Sequence, residues 1–221
     1  MGDIHGRFEK YMRMLKELCF RKSDDLYVLG DMIEKGSEPI KVIKDMSMRA
    51  NVFPILGDSE YTALKIFKNA KRKGREDAAI KHEIDEWVKV GGGVTAAQFV
   101  ALPNDEREAL TEYIEELPLY EELTVNGKNF ILVHAGLSNF KIDRPLDDYS
   151  PEELIFEKAD INTRYFTNAT LISGHRRIED KDGTGQTKAI QKNGHLCINC
   201  GENEDDPLCA VCLDDGREFY V

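Results

Sequence analysis

Two short apolar runs end in the same way. "DDLYVLGD" at 24–31 and "NVFPILGD" at 51–58 each read as a buried strand that stops at Gly-Asp. Between them, "EPIKVIKDMSMRA" (38–50) has the spacing of an amphipathic helix. Strand, helix and strand at this separation predict a βαβ unit with parallel strands. An earlier helix is predicted over "RFEKYMRMLKELCF" (7–20), with Phe8, Met12, Leu15 and Cys19 on its apolar face. By the same logic the turn "GDIHG" (2–6) should come after a strand, yet only Met1 precedes it. Either the chain enters inside that strand or the strand is missing.

Residues 60–116 read as helical and highly charged, an insertion within a single domain spanning 1–221. "GGG" at 91–93 interrupts them, and Thr95 is a candidate cap for the next helix. The second half changes character. "EELTVNGKNFILVHAG" (121–136) is a hairpin pattern around Asn126-Gly127. "SPEELIFEKA" (150–159) opens with a capping box, Ser150 and Glu153, and Pro151 at the first helical position. "TLISGH" (170–175) is a further strand ending in a turn. Asn193-Gly194 and Asp215-Gly216 mark two more hairpins. An α/β first half thus leads into a β-rich second half.

Composition narrows the function. The chain has 221 residues, 41% hydrophobic and 32% charged, with a net charge of −11. An acidic surface of this kind argues against a nucleic-acid backbone as partner. It leaves room for a small phosphate substrate, because a few local cations can make a positive site. No apolar run approaches the ~20 residues that cross a bilayer, and the N-terminus opens with charged and turn residues. A cytoplasmic protein with no membrane partner is the simplest expectation.

The chemistry collects at strand ends. Asp3 and His5 lie in "GDIHG", Asp31 and Asp58 in the two "LGD" turns, His134 in "VHAG" and His175 in "SGH". Strand ends on one side of a sheet converge on one crevice. Three carboxylates and three imidazoles there call for cations, and O/N donors suit hard or borderline divalent metals. Two metals with one bridging carboxylate fit six ligands.

The ordered set "GDIHG", "GDMIEKG", "GDSE", "HAGL", "GH" resembles the calcineurin-like metallophosphoesterases, nearest to the bacterial and phage-type serine/threonine protein phosphatases and the symmetrical dinucleoside tetraphosphatases. The resemblance implies two packed mixed β-sheets flanked by helices, with a dinuclear centre at the loop ends. It implies that Asp3, His5 and Asp31 hold one metal, that Asp31 bridges, and that Asp58, His134 and His175 hold the other. Manganese or iron fits this donor set, with zinc also open. The implied reaction is attack of a metal-activated hydroxide on phosphorus, with Asp31, Asp58 and position 59 at the chemistry. Substrates would be a phosphorylated protein or a small phosphate ester.

The departures from that pattern are concentrated at the chemistry. Glu34 and Lys35 stand where Asp-Arg is usual, so the phosphate-gripping cation loses its bidentate fork. "GDSE" replaces Gly-Asn-His-Glu: Asp58 adds a charge, and Ser59 stands where an imidazole would protonate the leaving group. Loss of a general acid typically costs about 10²–10⁴-fold in rate. Lys158 occupies the place of a second phosphate-binding arginine, and Arg176 and Arg177 come directly after the last histidine. Two readings stay open: a metal-dependent phosphoesterase hydrolysing phosphomonoesters with altered chemistry, or a catalytically weak relative that keeps metals and binds a phosphorylated ligand.

Cys197-x₂-Cys200-x₈-Cys209-x₂-Cys212 offers zinc-ribbon-like spacing. Residues three apart in a strand point to opposite faces, so small apolar strand residues are the favoured reading. His82 and His195 read as surface residues, and Trp87 as packing on a helix.

Overall fold

The structure, a computed structural model, describes residues 1–73, 77–176 and 187–221. The βαβ unit forms as expected. Strands β1 (Leu26–Val28) and β2 (Val52–Pro54) pair in parallel, with Leu26 opposite Val52, across helix α2 (Pro39–Ser47). Residues 1–4 form no assigned strand, but Met1 and Gly2 make strand-like hydrogen bonds. The N-terminal ammonium of Met1 donates to the Tyr27 carbonyl, Leu29 N–H donates back to Met1, and Gly2 N–H donates to the Cys209 carbonyl. Met1 and Gly2 thereby join β1 to the hairpin of β8 (Cys209–Val211) and β9 (Glu218–Tyr220).

The second sheet has five strands. The hairpin of β3 (Tyr120–Val125) and β4 (Lys128–Val133) turns at Asn126-Gly127, both at left-handed φ. Strands β5 (Ala169–Ser173), β6 (Ile190–Lys192) and β7 (His195–Cys197) complete the order β3-β4-β5-β7-β6, with β4, β5 and β7 parallel. The run "FILV" in β4 shows how this sheet is covered. Phe130 and Leu132 enter the core between the sheets with Leu29, Ile55, Ile172, Leu196 and Ile198. Ile131 and Val133 alternate to the other face and pack with Leu154, Ile155 and Leu171. Burial on both faces explains an uninterrupted apolar strand, and each such side chain contributes roughly 1.5–3 kcal/mol.

Helix α1 (Phe8–Glu17) forms where predicted, but its buried face is Tyr11, Met14 and Leu15. Met12 and Cys19 are exposed instead, and Cys19 has left the helix at a left-handed φ of 49°. The charged segment builds α3 (Asp58–Lys73), α4 (Ala78–Trp87), α5 (Gly93–Ala101) and α6 (Asn104–Glu115). The triple glycine breaks it as expected: Gly91 leaves helical φ/ψ and the chain kinks between α4 and α5. Residues 88–92 connect the two helices through a π-type turn whose Gly91, at φ 118°, is not helical. Thr95 does not cap α5; it lies inside the helix, buried, and its hydroxyl accepts the Glu34 N–H. The capping box forms as expected on α7 (Pro151–Ile155). No helix among the described residues is long and apolar enough to cross a membrane.

Candidate metal centre

The two Gly-Asp turns meet glycine to glycine. A Cβ on Gly30 would fall 2.6 Å from the Gly57 Cα, and one on Gly57 would fall 2.4 Å from the Asp31 nitrogen. Only glycine permits this approach. It sets Asp31 and Asp58 at adjacent ends of the parallel pair β1 and β2.

Six side chains converge there in two groups that share Asp31. Asp3, His5 and Asp31 form one, and Asp31, Asp58, His134 and His175 form the other, with ligand atoms within 4.8 Å of one another in each. Nε2 of His134 and Nδ1 of His175 lie 2.8 and 2.9 Å from Asp58 Oδ1, and 3.1 Å from each other. His5 Nε2 is 3.5 Å from Asp31 Oδ2, and His134 Nε2 is 3.6 Å from Asp31 Oδ1. His5, Asp31 and His175 all adopt left-handed φ, between 48° and 63°. Such backbone persists only where its surroundings over-determine it, and it gathers at functional sites.

Each ring is aimed from behind. His134 Nδ1 donates to the Leu29 carbonyl at 2.5 Å and His5 Nδ1 to Ile33 at 3.2 Å, leaving both Nε2 atoms toward the cluster. His175 Nε2 lies 3.1 Å from the Phe156 carbonyl, and Arg176 Nε reaches the same atom at 3.2 Å. Carbonyl partners that fix the tautomer are what metal-binding imidazoles use. Asp3 supplies the fit test. Its Oδ2 accepts from Asn199, while its Oδ1 is buried without a hydrogen-bond partner. A buried, unpartnered oxygen on a carboxylate grouped with His5 and Asp31, and acted on by His134 and His175, suits a cation. The donor set therefore fits two divalent metals.

Electrostatics agree. Burial and the neighbouring Asp31 push the Asp3 carboxyl up to about 7. Against its burial, hydrogen bonds from His134 and His175 hold Asp58 well below the usual carboxylate range. The Asp31, Asp58 and Asp3 carboxylates outweigh burial at His134 and raise it to about 10.

Glu60 organises the loops. Wholly buried, it accepts four backbone N–H groups: Asp31 and Gly57 on Oε2, Met32 and Ile33 on Oε1, at 2.8–3.1 Å. Burial and Asp31 push its pKa up, against four donors that favour the ionised form. Its position three residues after Gly57, in the first turn of α3, is that of a glutamate reaching back to the N-cap N–H, with no side chain on Gly57 to reciprocate. Asn199 ties the last loop in, donating to Asp3 Oδ2 and to the His175 carbonyl. Glu60 is the last residue of the "GDSE" motif, though its bonds to the first Gly-Asp turn were not legible there, and Asn199 does not stand out from the sequence as part of the site.

The predicted chemistry positions distribute unevenly. Ser59 is buried beside the cluster; its N–H donates to Asp31 Oδ1 at 3.2 Å, and it helps lower the Glu34 carboxyl against the effect of burial. Glu34 also accepts from the Trp87 indole, and burial pushes its carboxyl up to about 7. Lys35 reaches the mouth, its Nζ 3.4 Å from His5 Nε2 and paired with Glu202. Lys158 is exposed, two residues beyond Phe156. Arg176 is exposed, and Arg177 lies outside the described residues. The expectation of a surface His195 is overturned: it is buried in β7, and its Nε2 lies 2.8 Å from the Ser173 hydroxyl. The Tyr165 ring lies edge-on against it at 6.2 Å, so chain packed over the sheet covers a position that a hairpin leaves open. Among the described residues, the two Asp/His groups are the clusters suited to a metal. Cys197 and Cys209 lie in strands, Cys200 packs between the sheets, and the four cysteines make no such cluster.

No family model matches the chain. It is 27% identical over 139 residues to the symmetrical bis(5'-nucleosyl)-tetraphosphatase of Acidovorax sp. (strain JS42), covering 62% of this chain and 43% of that protein. It is 29% identical over 163 residues to the protein of the same name from Buchnera aphidicola subsp. Schizaphis graminum, covering 65% and 57%. The chain thus spans about half the length of such curated relatives. Among solved structures, a candidate diadenosine tetraphosphatase superposes with a TM-score of 0.68 at 19% identity, covering 100% of this chain and 90% of that one. A serine/threonine phosphatase from Saccharomyces cerevisiae gives 0.55 at 14% identity, covering 94% and 69%.

Proposed function

We propose that this chain, a metallophosphoesterase of the calcineurin-like type in fold and in sequence likeness, hydrolyses P–O bonds with the help of two divalent metal ions. Asp3, His5 and Asp31 would hold one ion, with Asp31 shared, and Asp58, His134 and His175 the other. The observation that carries this reading is the orphaned Asp3 Oδ1 within a cluster whose imidazoles are aimed from behind. Bound there, the ions would supply an activated water near neutral pH and neutralise charge on the transferring phosphoryl group.

The chain's own residues define the rest. Lys35 is the cation placed to contact a phosphate oxygen, as a point charge rather than a fork. Lys158 is a second contact, further out. Ser59 holds Glu34 and Asp31 in place but cannot protonate a leaving group near neutral pH. The site therefore suits a leaving group that departs as a weak base. An aryl phosphate or a phosphoanhydride meets that need; an alkyl phosphomonoester such as phosphoserine meets it less well. The tetraphosphatase names of the relatives support the anhydride.

Hydrolysis of p-nitrophenyl phosphate with added Mn²⁺, by the wild type and by Asp31→Asn, tests the reading. Turnover that disappears in the variant supports it. Stoichiometric metal with no turnover in the wild type, and turnover gained by Asp58→Asn/Ser59→His, would refute it and leave a phosphate-binding module.

A further inference from the structure

The cation at the mouth of the centre is already engaged. Lys35 Nζ pairs with the Glu202 carboxylate, and the two side chains are 33% and 36% exposed. A pair this wet is worth about 1 kcal/mol or less to folding, so stability is a poor reason for its position. Both partners are nevertheless held firmly. Lys35 sits at a left-handed φ of 57°, and its N–H donates to Gly91 at the π-helical turn. Glu202 belongs to the loop 199–206, which is braced at each step. Asn199 Oδ1 accepts the Gly201 N–H, and Asp206 Oδ2 accepts those of Glu202 and Asn203. Arg7, itself buried, donates to the carbonyls of Gly201, Asn203 and Asp206, and from the same guanidinium to those of Asp3 and Ile4. The loop that carries Glu202 is thus fastened to the loop that carries Asp3 and His5.

His5 and His175, one from each ligand group, add to the attraction that Lys35 exerts on the Glu202 carboxylate.

We propose that Glu202 is a charge filter: by engaging Lys35 at the mouth of the centre, it disfavours dianionic phosphate groups relative to monoanionic ones. The inference rests on the reading of Lys35 as a phosphate contact. A terminal phosphomonoester brings two charges to the carboxylate and must displace it from Lys35. A phosphodiester, or an internal phosphate of an anhydride, brings one charge per phosphorus and can share the ammonium. Glu202 is then a specificity-determining residue, touching the substrate's charge rather than the reacting atoms.

Isothermal calorimetry on the Mn²⁺-loaded protein reads this without turnover. The probes are inorganic phosphate, chiefly the dianion at about pH 8, and dimethyl phosphate, a monoanion. Glu202→Gln should bind inorganic phosphate about tenfold more tightly than the wild type, while dimethyl phosphate changes by about twofold or less. In a Lys35→Met background the gain from Glu202→Gln should shrink below about threefold. Equal gains for both anions, no gain for either, an undiminished gain without Lys35, or no binding by any of these proteins would overturn the proposal. Discrimination in binding with no hydrolysis of any ester would leave it standing and remove the phosphoesterase reading alone.

Discussion

Glu60 offers the sharpest test of how the centre is built. Its carboxylate accepts four buried N–H groups from two loops. A buried donor left without a partner costs about 1–3 kcal/mol. Glu60→Ala strands all four, a loss of roughly 4–12 kcal/mol against a total stability of about 5–15 kcal/mol, so that variant should fail to fold. Glu60→Gln is the informative change. Its amide oxygen can still accept two of the donors, but its NH₂ group meets the other two head-on. The expected loss is about 2–5 kcal/mol, read as a shift in the urea midpoint followed by circular dichroism at unchanged slope. Because the same loops carry Asp31 and Asp58, Mn²⁺ affinity of the folded Gln variant should fall about 10–100-fold. A Gln variant within about 1 kcal/mol of wild type, with unchanged Mn²⁺ affinity, would refute the argument that this carboxylate holds the loops together.

The same geometry fixes several other outcomes. Asn199→Ala should weaken Mn²⁺ binding about tenfold or more, since it releases Asp3 Oδ2 and the His175 carbonyl together; calorimetry checks this. Chelator-treated protein should lose stability as pH rises from about 6 to 9. Asp3 and His134 are both raised when folded, so the stabilisation from Asp3 fades as pH climbs through about 7 and that from His134 fades toward about 10. Asp58 is depressed, so its contribution is complete above its unfolded value of 3.8 and constant across this window. A melting temperature at least about 3 °C lower at pH 9 than at pH 6 is expected, with Mn²⁺ reversing the trend. Cys197→Ser/Cys212→Ser should retain all of its bound metal by elemental analysis; loss of one zinc per chain would restore the ribbon reading.

The strands, their parallel pairing and the convergence of six polar residues were legible because each strand stops at a turn that delivers one side chain. The order of apolar residues carries that information. Helix faces were less legible. In α1 both Met12 and Met14 are apolar at usable spacing, and only the packing behind Tyr11 and Met14 decides which face is buried. The triple glycine signalled a break that is present, a kink at Gly91, but not that Lys35 and the Trp87 indole would pack against these glycines. Glu60 had a signal, a glutamate three residues past a helix start, though nothing showed that it would also serve the first Gly-Asp turn. Asn199 had none, since its partner Asp3 lies 196 residues away. Buried His195 was hidden for a related reason: its Ser173 partner belongs to another strand.

The contact between Gly30 and Gly57 carries one more consequence. Neighbouring strands lie about 4.8 Å apart whatever their sequence, and with no side chain between the turns the two backbones stay in close approach up to Asp31. The sheet thus works as a ruler for the ligand spacing. The approach of the two ligand-bearing turns is therefore written in backbone, whatever side chains stand at Glu34 and Lys35.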